Sequence, residues 1–289
     1  MKNTHLAGII PVANLKSEFE LKTPEILLPI SSDFTAIQKS VFECALAGCN
    51  TIWIVANDDL APIVKQVVGD WTYDPVYYNR MSKFKSEQRK EIYYVPIHPK
   101  DRARRDSYGW SVLYGIHSAW RVAYNISHWL IPEKYFISFP MSVYNFHILR
   151  EHRPAISSKE RNFYLSYENQ TVQDGLPLPF TMTGEDFKKC RREINKKTTK
   201  EFLHPGPNEQ YPSERLPIEE RWSARHFSLK EIFGEVDREE AFNASLDWYS
   251  DISTWGGYCN FLGSTNSIET PQKALTTPHQ HVMIPYKED

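Results

Sequence analysis

The stretch from residue 8 to residue 57 most constrains the fold of this chain. It begins with the apolar run 8–13 and ends with the run 51–57, which is rich in β-branched and aromatic residues and bounded by polar ones. Such runs are typical of buried parallel strands. Gly48 stands where a helix C-cap is expected, and apolar residues recur before it at helical spacing: Ile37, Val41, Phe42, Ala45 and Leu46. A strand, a crossover helix and a second strand predict a parallel sheet.

Later segments continue this α/β pattern. The runs 91–97 and 134–139 are typical of buried strands, and apolar periodicity predicts a helix from residue 110 to about residue 127. We expect the four strands to be neighbours in a mostly parallel central sheet with helices on both faces, since such apolar strands must be covered twice. The sequence therefore predicts an α/β fold of Rossmann-like type.

The composition is that of a globular protein. The 289 residues include 41% hydrophobic residues, and the net charge is -2. No apolar run approaches the roughly 20 residues of a membrane span, and the N-terminus lacks the pattern of a signal peptide. The four cysteines form no CxxC pair and are expected to be buried free thiols. We therefore predict a cytoplasmic protein without a membrane partner.

Three segments resemble a known family, the sugar-nucleotidyltransferases, which are nucleotide-sugar pyrophosphorylases of GT-A type. The first contains Thr23-Pro24-x-x-Leu27-Leu28-Pro29-Ile30 and the register from Ala45 to Val55; the others are 107–152 and 227–258, in the same order and spacing. The resemblance implies a GT-A fold and a nucleotide or nucleotide sugar as ligand. It also implies Mg²⁺ as a cofactor if the protein is an active enzyme.

Candidate phosphate-binding residues lie in two loops at the expected carboxyl edge of the sheet. The loop after the first strand, 14–22, lacks the glycine-rich sequence and the arginine of the family. The basic run 100–106 supplies guanidinium groups, which bind phosphate bidentately, although a solvated basic turn is an alternative. The resemblance makes Gly109 the glycine whose backbone approaches the nucleotide base. The other candidates are Ala13, Lys22, Arg102, Arg104 and Arg105.

The metal site that the resemblance implies is incomplete. The family ends the strand 134–139 with a Gly-Asp pair that holds magnesium, whereas this chain has Pro140 and Met141 there. A thioether is a poor ligand for a hard cation. The family's second magnesium ligand corresponds to Asp251, and Asp58 or Asp59 after the second strand is a substitute acid. The sequence assigns no catalytic residue.

The middle of the chain departs from the family. We predict one domain over 1–264 with a basic, proline-rich insertion at about 170–222, and a tail over 265–289. Thr183 has an acid three residues later, which is typical of a helix N-cap, and the helix 185–201 that follows is strongly basic. Its face fits nucleic acid, an acidic partner or a polyphosphate, but such a pattern is more commonly a solvated helix. The small net charge makes nucleic acid an unexpected partner.

Two hypotheses of function follow. In the first, the protein is a divergent nucleotidyltransferase that transfers a nucleotidyl group to a sugar phosphate or binds a nucleotide sugar. In the second, it is a catalytically inactive pseudoenzyme, used as a binding or assembly module with a protein partner or through self-association. A virus particle, such as that of a phage, is one setting for the second hypothesis. The missing catalytic groups favour the second hypothesis, and the arginine cluster favours the first.

Overall fold

The computed structural model describes residues 5–12, 21, 23–78, 89–97, 108–199, 227–236 and 240–280, with side chains up to residue 194 in the helix that ends at residue 199. The strands of these residues, in chain order, are β1 (Leu6–Pro11), β2 (Pro29–Ser31), β3 (Phe34–Thr35), β4 (Thr51–Ala56), β5 (Trp71–Tyr73), β6 (Arg89–Pro96), β7 (Lys134–Ile137), β8 (Ser142–Tyr144), β9 (Phe163–Ser166), β10 (Phe180–Thr183), β11 (Phe242–Ser245) and β12 (Tyr249–Asp251).

An eight-stranded sheet, counted over the described residues, forms the centre of the protein in the order β11-β9-β10-β7-β1-β4-β6-β5. Every strand of it runs in one direction except β5 and β10. The four predicted strands lie side by side as β7, β1, β4 and β6. The prediction of a mostly parallel α/β sheet is therefore confirmed.

Helices cover both faces of this sheet. In chain order they are α1 (Ala36–Ala47), α2 (Ala61–Val68), α3 (Tyr108–Ile126), α4 (Ile148–Glu151), α5 (Arg153–Ile156), α6 (Gly184–Thr199), α7 (Leu229–Phe233), α8 (Trp255–Gly263) and α9 (Lys273–Thr276). The predicted ends of α1 are confirmed: Thr35 and Gln38 form a capping box, and Gly48 adopts a left-handed φ of 96°. Each described helix is too short or too polar to span a membrane.

Alternate side chains of the central strands enter two separate cores. Ile10 and Ile54 pack in the core that contains α1, whereas Ile9 and Val55 pack in the core that contains α3. A Cβ added to Gly115 of α3 would lie 2.7 Å from Val55 Cγ2 and 2.8 Å from Ile9 Cγ2. This glycine therefore lets α3 lie directly on β1 and β4.

Strand β10 and the strand pair β8–β12 were not predicted from the sequence. The segment predicted as an extended connector, 176–180, leads into β10, which lies antiparallel between β7 and β9. Two prolines precede this strand, and proline argues against an interior strand. The strand pair joins β8 to β12, and in it Asp251 lies opposite Ser142. The N-cap predicted at Thr183 is confirmed, because its backbone N–H donates to Asp186 Oδ2 at 3.0 Å.

The cysteines and the tail also bear on the sequence predictions. All four cysteines are free thiols, as predicted, but the prediction that they are buried is wrong for Cys259, which is exposed. The described part of the tail docks on the sheet edge: the Asp70 N–H donates to the His279 carbonyl at 2.5 Å. The His279 ring stacks on Trp71 with 4.0 Å between ring centroids. The tail therefore covers the outer side of β5.

Candidate functional site

The strand order places a topological switch point between β1 and β7. From β1 the chain passes through α1 to β4 on one side, and α3 later returns it to β7 on the other side. Loops on the two sides of such a point leave in opposite directions, and a crevice opens beyond the carboxyl ends of the strands. Ligands of open α/β sheets bind in this crevice, so the residues around it form the candidate site.

A buried ion pair on α1 lies beneath this crevice. Lys39 Nζ is 3.1 Å from Glu43 Oε1, and neither side chain is exposed. Burial lowers the pKa of Lys39, although the Glu43 carboxylate opposes this shift. Glu43 Oε2 also accepts a hydrogen bond from the hydroxyl of Ser138, the residue that follows β7. The pair therefore ties α1 to the end of β7.

Lys39 also fixes the loop between β7 and β8. Its ammonium donates to the carbonyl of Phe139 at 3.2 Å and to the carbonyl of Ser142. The Met141 carbonyl accepts the Ile252 N–H at 2.9 Å, and the Met141 side chain is buried. The three carbonyls are thus engaged within the protein. In this loop the family carries its Gly-Asp pair.

Two tyrosines and an aspartate complete the polar group at the crevice. The Tyr108 ring, at the start of α3, packs on Phe139 with 5.0 Å between centroids, and its hydroxyl is buried without a hydrogen-bond partner in the described part of the chain. Burial raises the pKa of Tyr108, and the nearby Asp251 carboxylate raises it further. Burial and Asp251 likewise raise the pKa of Tyr249. The switch-point cluster is defined here as Lys39, Glu43, Tyr108, Ser138, Ser142, Tyr249 and Asp251.

The residues at Asp251 do not by themselves make the two-carboxylate magnesium site of the resembled family. Asp251 is exposed, and its Oδ1 accepts the Ser253 N–H at 2.9 Å. Met141 offers a thioether in place of a carboxylate, and its carbonyl is engaged. Within the described ranges, no three His, Cys, Asp or Glu side chains converge to hold a metal ion. Among the described residues, Asp251 therefore supplies one carboxylate of the magnesium site that the resemblance implies.

The predicted site residues have different outcomes. Asp58 and Asp59 are exposed directly after β4, at the carboxyl edge of the sheet. Their part in metal binding remains a prediction, as does that of Asp251. The predicted phosphate-binding residues other than Gly109 lie outside the described residues: Ala13, Lys22, Arg102, Arg104 and Arg105.

Gly109 is buried against α7. An added Cβ would lie 2.4 Å from Ile232 Cδ1 and 3.5 Å from a ring atom of Phe233. Packing of the start of α3 on α7 is thus a sufficient reason for a glycine at this position. Its predicted contact with a nucleotide base remains a prediction.

All residues of the switch-point cluster except Asp251 were not predicted as site residues from the sequence: Lys39, Glu43, Tyr108, Ser138, Ser142 and Tyr249. A signal was present, because Lys39 and Glu43 are the only charged residues of α1. Charged residues at i and i+4 are usually a surface pair, so this signal alone does not reveal a buried one. Ser138 and Tyr108 have no distinctive local pattern, and only the topology places them together.

Comparison with solved structures identifies the fold. A protein of Bacillus anthracis, assigned as a glucose-1-phosphate thymidylyltransferase and solved with a sucrose, matches with a TM-score of 0.55 and 10% identity, over 93% of this chain and 98% of that chain. A UDP-glucose pyrophosphorylase complexed with UDP-glucose matches with a TM-score of 0.50 and 12% identity, over 89% of this chain and 97% of that chain. The fold is that of the sugar-nucleotidyltransferases.

A third structure agrees with this fold. The nucleoside-diphosphate-sugar pyrophosphorylase of Vibrio cholerae matches with a TM-score of 0.50 and 14% identity, over 89% of this chain and all of that chain. No protein-family model matches the sequence, and no curated protein matches it. At such low identity, the likeness carries the fold and leaves the activity to be argued from the residues.

Proposed function

We propose that this protein binds a nucleotide sugar, or the corresponding nucleotide, in the crevice between β1 and β7. The observation that carries the proposal is the switch-point cluster, a preorganised polar group at the place where α/β sheets bind ligands. The ligand class follows from the likeness to nucleotide-sugar pyrophosphorylases over nearly the whole chain. The donor set around Asp251 favours binding of this ligand without magnesium-dependent nucleotidyl transfer.

Tyr108 is the residue we assign to ligand contact. Its hydroxyl is buried with no hydrogen-bond partner among the described residues, and an unsatisfied buried polar group is costly to the protein. A ligand hydroxyl or phosphate oxygen in the crevice would satisfy it. Because burial and the Asp251 carboxylate keep the pKa of Tyr108 high, the phenol stays protonated and acts as a donor.

A thermal-shift panel of UDP-glucose, dTDP-glucose and UTP, each with magnesium and with EDTA, tests the proposal. A ligand that binds only the native state raises the melting temperature. We expect at least one nucleotide sugar to raise it in EDTA. If no member of the panel raises it in either buffer, the proposal is wrong.

Tyr108→Phe is the variant that locates the site. Loss of one hydrogen bond, at ~0.5–1.5 kcal/mol, should weaken binding about twofold to tenfold. Tyr124→Phe, an exposed tyrosine on the same helix, is the matched control and should leave affinity unchanged. Equal affinity in both variants would remove Tyr108 from the site.

Nucleotidyl transfer is the second candidate function. It is favoured by the position of Asp251 beside Tyr108 and Tyr249, with a carboxylate that reaches solvent. In that case Asp58 or Asp59 would supply a further oxygen, and magnesium would neutralise charge during phosphoryl transfer. Pyrophosphate release from UTP and glucose 1-phosphate distinguishes the two candidates. Sustained magnesium-dependent turnover would establish the enzyme.

A further inference from the structure

A run of rings lies along the outer side of α3. His117 stacks on Trp120 with 6.2 Å between centroids, and Trp120 stacks on Tyr124 with 5.2 Å. His128 meets Tyr124 edge-on at 4.5 Å. At the other end, His117 stacks on Phe187 of α6 at 6.5 Å. These five residues, which we call the aromatic track, form a continuous line across two helices.

The part of the aromatic track from Trp120 to His128 belongs to an exposed apolar surface, whereas Phe187 at its other end is buried. Trp120 and Tyr124 are exposed, and so are Ile126 and Leu130 nearby. Trp129, directly after His128, is 92% exposed. Single exposed apolar residues are ordinary on a protein surface, but a contiguous group of this size marks an interaction site.

Arg121 and Arg191 lie beside the aromatic track, and the same segments also carry acids: Glu133 follows Pro132, and α6 contains Glu185, Asp186 and Glu193. Residues 108–132 contain no Asp or Glu, and Arg121 on this stretch is exposed. The Arg191 guanidinium lies 5.6 Å from the ring centroid of Phe187. The pKa of His117 is lowered by burial and then by Arg191 and Arg121, so both guanidinium groups act on the track. Further exposed cations lie on the same helix as Arg191: Lys188, Lys189 and Arg192.

This combination identifies the chemistry of the partner. Exposed aromatic side chains supply surfaces for stacking bases, and adjacent cations follow a phosphate backbone. On α3, residues 117 to 124 rise about 10 Å at 1.5 Å per residue, a length that a short stretch of extended single strand occupies. A second copy of this chain would bring the same cations into contact, which like-charge repulsion disfavours.

We propose that the aromatic track, with Arg121 and Arg191, binds single-stranded nucleic acid. The overall charge of -2 gave no reason to expect this partner, because acidic residues elsewhere in the sequence balance the cations. The site is on the outer side of α3, whereas the candidate ligand crevice lies at the helix start. The proposal is therefore independent of the nucleotide-sugar proposal.

Fluorescence anisotropy with fluorescein-labelled 12-mers of dT and of rU tests the proposal, at 50 and 200 mM NaCl. We expect binding that weakens with salt, since released counterions drive it. Trp120→Ala/Tyr124→Ala should raise Kd tenfold or more, because the variant loses two rings on which bases stack. A tenfold rise in Kd corresponds to about 1.4 kcal/mol. Trp255→Ala, an exposed tryptophan on α8, is the control and should leave Kd unchanged.

Arg121→Gln/Arg191→Gln separates the electrostatic part. This variant should raise Kd and flatten the dependence of log Kd on log salt, and the dT and rU arms show whether DNA or RNA is preferred. Absence of an anisotropy change with both 12-mers would overturn the proposal, as would equal Kd values for the native chain and Trp120→Ala/Tyr124→Ala.

Two further measurements identify other partners. If Trp129→Ala abolishes flotation with phosphatidylserine vesicles while neither 12-mer binds, the surface is a membrane contact and the proposal is wrong. If sedimentation velocity shows a dimer that Trp120→Ala/Tyr124→Ala dissociates, again without 12-mer binding, the surface joins two copies of this chain. An unchanged melting-temperature shift with nucleotide sugar in the same variant confirms that the crevice is intact.

Discussion

Lys39 and Glu43 lie one turn apart on α1 and form an ion pair that is fully buried, with 3.1 Å between Nζ and Oε1. Removing two charges from solvent costs free energy of desolvation. Additional hydrogen bonds offset that cost here, from Lys39 to the carbonyls of Phe139 and Ser142 and from Ser138 to Glu43. The pair therefore fixes the floor of the crevice more than it adds to stability.

Removing one partner of this pair should destabilise the protein strongly. Glu43→Leu leaves the Lys39 ammonium without its counterion, and loss of one partner of a buried pair costs ~3–5 kcal/mol. Lys39→Met/Glu43→Leu should cost less than the sum of the single variants, although the carbonyls of Phe139 and Ser142 then lack their donor. Urea unfolding of the native chain, Lys39→Met, Glu43→Leu and the double variant gives the coupling energy between the two side chains.

The surface pair of Lys159 and Glu133 is the matched control for this experiment. Its atoms approach to 2.6 Å, but both side chains are about half exposed, and such pairs contribute ~0–1 kcal/mol. Glu133→Gln should therefore change the free energy of unfolding little. A loss at Glu43 no larger than that at Glu133 would mean that water reaches the α1 pair.

Gly109→Ala tests whether this glycine serves packing. The added methyl group would lie 2.4 Å from Ile232 Cδ1, so we expect a loss of about 1–3 kcal/mol, as for overpacked cores. Ile232→Val removes the clashing atom and should restore part of the loss. Gly256→Ala, at a helical position with open space around it, should be neutral or stabilising.

The outcome also separates packing from ligand contact. If Gly109→Ala has the same urea midpoint of unfolding as the native chain but no longer binds nucleotide sugar, the glycine is needed for ligand binding. In that case the prediction from the family resemblance, and not the contact with α7, explains the residue.

Those parts of the fold that local sequence encodes were predictable. Thr35, Gly48 and the apolar runs around them define β1, α1 and β4 because capping and periodicity are local properties. Strands β8, β10 and β12 are short, and their partners are distant in sequence, so no local pattern distinguishes them from loops. The position of β10 between β7 and β9 depends on tertiary pairing, which the two prolines before the strand do not prevent.

The candidate site was predictable only in outline. The carboxyl edge followed from the strand order, and Asp251 and the residues after β4 do lie along it. Lys39 and Glu43 have the spacing of an ordinary surface pair, and burial alone distinguishes them. Their role depends on the packing of the end of β7 against α1. This tertiary contact cannot be inferred from the spacing of residues in the sequence.

Docking of the tail should weaken at acidic pH. Burial lowers the pKa of His279 below 6.5; its hydrogen bond to the Ala274 carbonyl opposes this shift, and Arg89 adds to it. The released tail therefore binds more protons than the docked tail just below pH 6.5, so docking is strongest above pH 6.5 and is lost as the pH falls. An NMR titration of the His279 ring should give a pKa under 6.5.

His279→Phe is the control for this titration. It keeps an aromatic ring for stacking on Trp71 but cannot be protonated. Hydrogen exchange of residues 273–280 measures docking in this variant. After correction for the pH dependence of the intrinsic exchange rate, docking should no longer depend on pH. A His279 pKa at or above 6.5 in the native chain would contradict the proposed coupling.

Asp251→Asn distinguishes the two candidate functions by the sign of its effect. The exposed carboxylate stands at the crevice with one oxygen bound to the Ser253 N–H. Without a metal ion it repels the phosphates of a nucleotide sugar, so the variant should bind the ligand more tightly in EDTA, by up to about fivefold for an exposed charge pair worth ~0.2–1 kcal/mol. Asp58→Asn, farther along the sheet edge, should change affinity less.

If Asp251 instead holds magnesium for nucleotidyl transfer, Asp251→Asn should lose magnesium-dependent binding, and turnover should fall on the order of a thousandfold. Calorimetric titration of UDP-glucose with and without magnesium, beside the pyrophosphate assay, measures both effects. Weaker binding by Asp251→Asn in EDTA fits neither expectation and would require the carboxylate to accept a hydrogen bond from the ligand itself.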